Sequence, residues 1–158
     1  MTSFPRVEPL AGASDLDGVI AIEVESFNNP TSRAWYEAEL QRPDVCKVYV
    51  IRTEIVPVAG FVAFWRVHDE MHINNLAIHP AMRQQGLGRS LLRGALTAAR
   101  GLGVHRATLE VRRSNTPAQR LYEGAGFKLV GVRPNYYSLP VEDALVLAAA
   151  VESPLAGW

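Results

Sequence analysis

The sequence predicts an α/β fold: a mixed, mostly antiparallel sheet with one parallel crossover, in the order β-αα-βββ-α-β-α-ββ. Three observations carry this expectation. Short apolar runs of strand length alternate with longer runs at helical spacing. Glycine and proline punctuate the junctions between them. A strand, a helix opened by glycines and a further strand succeed one another over residues 71–112, an arrangement that makes a parallel crossover.

Each element has its own local reason. Residues 6–10 read as a first strand. Ser14 or Asp15 caps a helix running to Ser26, which Asn28-Asn29-Pro30 breaks. Thr31 or Ser32 caps a second helix through Gln41, with Trp35, Ala38 and Leu40 among its apolar positions. Three strand-like runs follow, at residues 47–52, 56–67 and 71–78; Val67-His68-Asp69-Glu70 turns the last two into a hairpin. Leu87, Leu91, Ala95, Ala98 and Leu102 form the stripe of the third helix, and Gly101 and Gly103 end it. Over residues 105–112, Ala107, Leu109 and Val111 alternate with Thr108, Glu110 and Arg112. Asn115 or Thr116 caps the fourth helix, where Pro117 suits the first turn. Its stripe is Ala118, Leu121, Tyr122 and Ala125. Residues 127–133 and 144–151 are the last strands, joined by a loop at 134–140.

With 158 residues, 48% hydrophobic and 20% charged, the chain is expected to form one globular domain over residues 1–158. Sixteen basic residues balance sixteen acidic ones, so no global field draws nucleic acid or an anionic membrane. Cys46 is the only cysteine, which excludes an internal disulfide and suits a reducing, cytoplasmic setting. It opens a strand-like run and reads as a buried thiol. No basic segment followed by an apolar run marks a signal peptide, and the longest apolar run, residues 144–151, is too short to cross a bilayer.

The most informative run is Arg83-Gln84-Gln85-Gly86-Leu87-Gly88. Glycines at a helix start let main-chain N–H groups approach a ligand, and those groups have no intrahelical partner. With the helix dipole they form a cradle for phosphate. A dinucleotide fingerprint is excluded because Leu91 stands where a third glycine is required. A nucleoside-triphosphate loop is excluded because neither lysine, Lys47 or Lys128, follows the glycines. His68, Asp69 and His72 straddle a turn and do not match a metal site.

The glycine run continues into Leu109-Glu110-Val111-Arg112-Arg113-Ser114-Asn115, then Ala118, Leu121-Tyr122 and Gly126-Phe127. Together these segments resemble the GNAT acetyltransferases, and among them the bacterial ribosomal-protein-alanine N-acetyltransferases. The likeness is tightest over residues 75–127 and extends through Arg133-Pro134-Asn135-Tyr136-Tyr137 and Glu142-Asp143-Ala144.

The resemblance implies that acetyl-CoA is the phosphate-bearing ligand. Its pyrophosphate would lie on the amides of Gln84, Gln85, Gly86, Leu87, Gly88 and Arg89, aided by Arg83 or Arg89. The pantetheine arm would pair with the main chain of Leu76, Ala77 and Ile78 as an added strand. Asn115 would bond the cofactor, cap its helix, or both. Glu110 would be the general base, directly or through water; from spacing alone it is equally a surface carboxylate paired with Arg112 or Arg106. Tyr122 would be the acid that protonates the departing thiolate; helical spacing alone makes it a core aromatic. Glu70 and His72 are rival bases. The acceptor would enter between residues 27–32 and 133–140, against Phe27, Asn28, Tyr136 and Tyr137. The ribosomal-protein enzymes commonly carry a Pro-Trp pair in the first of these loops, where this chain reads Phe27-Asn28-Asn29-Pro30-Thr31. The implied partner is a protein or peptide N-terminus, such as that of a ribosomal protein, acted on by a monomer or weak dimer. A lysine or small-molecule amine as acceptor, and a silent acyl-CoA-binding module, stay open as alternatives.

Overall fold

A computed structural model of the chain describes residues 3–151. The elements are β1 (Arg6–Pro9), α1 (Ala13–Ser26), α2 (Arg33–Leu40), β2 (Cys46–Arg52), β3 (Gly60–Val67), β4 (Glu70–Ile78), α3 (Leu87–Gly101), β5 (Arg106–Arg112), α4 (Thr116–Gly124), β6 (Lys128–Tyr137) and β7 (Glu142–Ala150), with a short 3-10 helix at Pro80–Met82 after β4. The order is the expected one. The strands form one sheet in the order β1-β2-β3-β4-β5-β7-β6. Every neighbouring pair is antiparallel except β4 and β5, the strands that flank α3.

The sheet is covered on both faces. One apolar cluster holds Leu91, Leu92, Ala95, Leu96 and Ala99 of α3 and Tyr122 of α4 against Met71, Ile73 and Leu109. The other packs Leu16, Val19 and Ile22 of α1 and Tyr36 of α2 against Val48, Val50, Phe61 and Ala77.

Several local expectations need correction. The α1 cap is Gly12, with no side-chain bond, rather than Ser14 or Asp15. Asp15 is drawn off to Arg52, which grips it through two bonds of 2.8 and 2.7 Å. Strand β3 starts at Gly60, not residue 56, because Thr53 and Val56 close a turn through their side-chain and main-chain bonds and Val58 and Ala59 then enter the core. The α3 stripe runs through Leu92, Leu96 and Ala99 and leaves Ala98 and Leu102 half-buried. The loop at 134–140 is largely strand: β6 continues through Pro134 to Tyr137, an edge position where proline's missing N–H costs no ladder bond. Ser32 caps α2 and Asn115 caps α4, both through side-chain oxygens, as one of the two alternatives each time required.

Candidate active site

The site arises where β4 and β5 part. They pair only from Glu70↔Arg106 to Ile73↔Leu109. Beyond Ile73, β4 stays with β3 while β5 stays with β7, so a gap opens between them. A register shift facing Ala63 and Phe64 marks the start of this fork and leaves Asn74 as an extra residue in β4. The shift also changes which side chains face which layer. Before it, Met71 and Ile73 pack with α3 and α4; after it, Leu76 and Ile78 do so, while Ala77 joins the α1–α2 layer. Asn74 reaches His72, and Asn75 reaches Glu23 of α1.

The open edge of β4 has a defined set of main-chain groups. A Cβ on Gly60 would lie 2.9 Å from the carbonyl of Ala77, so that carbonyl faces β3. Alternation then turns the N–H and C=O groups of Leu76 and Ile78 toward the gap. The Ile78 carbonyl accepts a bond of 3.0 Å from Arg83 Nε, and the same guanidinium donates to Ser26 Oγ. Arg83 thus closes the far end of the edge.

The glycine run forms the expected helix start. Gly86 caps α3 at φ 76°, a left-handed conformation, and Gln84 precedes it at φ 63°. Gly88 needs no such freedom, and a Cβ there would meet only Leu121 at 3.6 Å and Ile78 at 3.8 Å, ordinary contacts. The protein itself therefore does not demand glycine at 88. Space left over the first turn of a helix, beside the open strand edge, fits a ligand that carries phosphate.

A cavity of about 460 Å³ occupies the gap. Glu23, Asn74, Asn75, Leu76, Glu110, Asn115 and Tyr122 border it, as do Phe27, Asn28, Tyr136 and Tyr137. Eight sequence-predicted residues from five separate elements thus converge on one space. Asn74 Nδ2 is buried without a hydrogen-bond partner, a donor left for a bound acceptor atom. Asn28 Nδ2 donates to the Leu139 carbonyl across the mouth, joining the α1–α2 loop to the β6–β7 turn. The Tyr136 and Tyr137 rings meet edge to face at 5.0 Å, and Arg112 lies over Tyr137.

Glu110 projects from β5, with only 11% of its side chain exposed. Its partners are neither Arg112 nor Arg106: Arg112 binds Glu142 and Arg106 lies near Glu70. Instead Glu110 Oε2 is 2.5 Å from His72 Nε2, and Oε1 is 3.4 Å from Arg133 Nε. The bond to His72 holds the carboxyl below its ordinary value and raises the imidazole above its own. Tyr122 is buried against Phe127, and burial pushes its phenol above the ordinary value, so it stays protonated at neutral pH. It is at once a core aromatic and a wall of the cavity.

Sequence reasoning missed the cluster under the acceptor side. Glu23 is fully buried and accepts from the Tyr36 hydroxyl at 2.5 Å, Asn75 Nδ2 at 2.6 Å and the Thr31 amide at 3.0 Å. Burial raises its carboxyl above the ordinary value against these bonds. The only hint in the sequence was a Glu among the apolar residues of α1. Cys46 is buried and its thiol is pushed up to about 11, as expected of an inert core cysteine. Among the described residues no group of three or more His, Cys, Asp or Glu could hold a metal, and no helix is long and apolar enough to cross a membrane.

A seven-stranded sheet forked beside a helix start, with a carboxylate and a tyrosine on the walls of the fork, is the architecture of an acetyltransferase. The chain belongs to the acetyltransferase (GNAT) family, whose description matches residues 16–127. Its acetyl donor is acetyl-CoA, and it is an acyltransferase.

Among proteins, the chain is 36% identical over 99 residues to the ribosomal protein bS18-alanine N-acetyltransferase of Haemophilus ducreyi, covering 61% of this chain and 68% of that one. A Bacillus subtilis (strain 168) protein that carries the same name provisionally is 39% identical over 134 residues, covering 84% and 87%. Among solved structures, the ribosomal-protein-S18-alanine N-acetyltransferase of Escherichia coli superposes with a TM-score of 0.85 at 29% identity, covering 98% of this chain and 99% of that one.

Proposed function

We propose that this protein is a single acetyltransferase domain that transfers the acetyl group of acetyl-CoA to the N-terminal α-amine of a protein, with ribosomal protein bS18 as the leading acceptor. The observation that carries the reading is the pairing of Glu110 and Tyr122 on the cavity where β4 and β5 part. The relatives named for bS18-alanine acetylation supply the acceptor. The fold of the whole chain on one such enzyme supports the same choice. A ribosomal acceptor implies a cytoplasmic enzyme, and the balanced charge of the chain gives no reason to invoke nucleic acid or membrane as partners.

Acetyl-CoA supplies a thioester whose acyl carbon is open to an amine. The amides of Gln84, Gln85, Gly86, Leu87, Gly88 and Arg89 at the α3 start hold the phosphates. The open edge at Leu76 and the Ile78 N–H takes the pantetheine arm, with Ala77 paired to β3 behind it, and Asn115 lies alongside. The acceptor enters between Asn28 and the Tyr136–Tyr137 pair. Phe27 lies at the same mouth. As the N–C bond forms and the C–S bond breaks, Glu110 takes the proton that leaves the amine and Tyr122 donates its hydroxyl proton to the departing sulfur. An α-amine, with pKa of about 8, is about one-tenth neutral at pH 7; a lysine amine is neutral less than about 0.1% of the time. The α-amine therefore needs less help from a base than a lysine does.

The test is acetyl transfer from acetyl-CoA to short peptides with free N-termini, against lysine peptides with blocked N-termini and polyamines. Reaction with an Ala-initiated bS18 peptide and not with the controls is the expected result. Preferential reaction with lysine or polyamine overturns the acceptor, and CoA binding without turnover on any amine overturns the enzyme reading.

A further inference from the structure

His72 lies outside the cavity, behind Glu110, on the same side of the sheet. Its two ring nitrogens are both engaged: Nδ1 is 3.0 Å from Asn74 Oδ1, and Nε2 is 2.5 Å from Glu110 Oε2. Both facing atoms are acceptors. A bare ring nitrogen facing a carboxylate oxygen at that distance sets two lone pairs against each other, so the 2.5 Å approach is that of the pair with a proton between them. The Asn74 carbonyl takes the other ring proton, and the bulge in β4 is what brings Asn74 round to do so. Part of the imidazole meets solvent, whereas Glu110 is nearly enclosed.

We propose that His72 is a positioning residue that shares one proton with Glu110, so that the pair, rather than Glu110 alone, receives the proton of the acceptor amine. This rests on the reading of Glu110 as the base. The step balances. The pair first loses its shared proton to solvent from the imidazole, leaving a carboxylate beside a neutral ring. When the amine N–H breaks, its proton enters on Glu110 and comes to rest between Oε2 and Nε2. Loss of that proton to water resets the pair.

The physical gain is basicity. A lone Glu110 beside a permanent cation is a poor base. A pair whose last proton sits on a raised imidazole titrates nearer the working pH, where general bases are most effective. The charged surroundings are few. From β6, Arg133 opposes protonation of His72 and Tyr137 lies near Glu110. Glu70 shares the strand with His72 and is engaged by Arg106. Trp65 of β3, 6.0 Å away by ring centroids, is neutral, as is its β5 neighbour Thr108.

Two measurements test this. NMR titration of the His72 ring in the wild type should give a midpoint above about 6.5 that falls in Glu110→Gln. An unchanged midpoint overturns the pair, whatever the activity. The second is the pH dependence of kcat/KM for a peptide acceptor at saturating acetyl-CoA. Below about pH 6.5 its logarithm should fall with a slope approaching two, one proton from the amine and one from the pair. His72→Gln should restore a slope of one and lower the rate at pH 8 about tenfold or more. A wild-type slope of one, or a slope of two surviving in His72→Gln, overturns the proposal. His72→Thr serves as a second variant if the first fails to fold. Absence of acetylation on every amine would overturn the proposed function instead, and the NMR titration would still decide the pair.

Discussion

Tyr122 and Glu110 show how much one residue's role owes to its distant neighbours. Burial holds the Tyr122 phenol protonated, so removing its oxygen removes a donor and little else. Tyr122→Phe keeps the ring against Phe127 and should lower kcat on the order of 100-fold with the KM for acetyl-CoA nearly unchanged. Steady-state kinetics with both substrates varied measures the split; equal loss in KM would place Tyr122 in binding rather than proton donation. The placement of Glu110, Asn115 and Tyr122 was legible from local pattern, a polar face of a strand, a helix cap and a helical stripe, whereas the roles expected of them came from the resemblance to the GNAT acetyltransferases. The contacts that tune them were not. His72 is 38 residues from Glu110 in the chain, and Asn75 is 52 from Glu23, so no window of sequence contains either pair. The register shift in β4 that aims Asn74 and Asn75 to the same side left no pattern, since Asn74-Asn75 reads in sequence only as two polar residues.

At the scale of elements, the two walls of the cavity respond to different substitutions. At the α3 start, Gly88 could carry a Cβ without a clash inside the protein, so packing alone does not call for glycine there. Gly88→Val should therefore abolish acetyl-CoA binding while the thermal midpoint stays within a few degrees of wild type. Calorimetric titration beside a melting curve tests this, and retained binding would remove the glycine run from the cofactor site. The α1–α2 wall depends on Glu23, which joins α1, the following loop, α2 and β4 through three acceptor bonds. Glu23→Gln turns an N–H₂ group toward donors whichever way the amide lies, so that either Thr31 N–H or the Tyr36 hydroxyl and Asn75 Nδ2 lose their carboxylate acceptor. The loop at the acceptor mouth then loosens. The expected outcome is a peptide KM raised several-fold with the acetyl-CoA KM unchanged, and a comparable rise in both would mark Glu23 as structural only. The glycine wall was readable because the glycine run stands in one frame with Glu110, Asn115 and Tyr122, since alone two glycines at a helix start also serve to turn the chain. The Glu23 wall was not, because its meaning depends on three elements folding onto α1.

For the molecule as a whole, the same helix carries two buried carboxylates that titrate in opposite senses. Burial raises Glu23, whereas two bonds from Arg52 and one from the Ala11 amide lower Asp15. Asp15 ties the start of α1 to the end of β2, so it joins a covering helix to the sheet edge that β1 completes. A carboxyl whose value is lowered on folding adds stability above its unfolded pKa of about 4, and the contribution fades as pH falls through the folded value. Asp15→Asn keeps the shape of the side chain but replaces one acceptor of the Arg52 fork with a donor and removes the charge. It should cost about 2–3 kcal/mol at pH 7, the range for charge-assisted bonds left partly unmade. Urea unfolding at a series of pH values checks the sign as well as the size. The gap between variant and wild type should be widest near neutral pH and should narrow below about pH 4, as the wild type protonates Asp15 and loses the same interaction. A gap that does not change with pH would assign the loss to packing at the head of α1, and the Arg52 bond would then hold the layer in place without its charge contributing to stability.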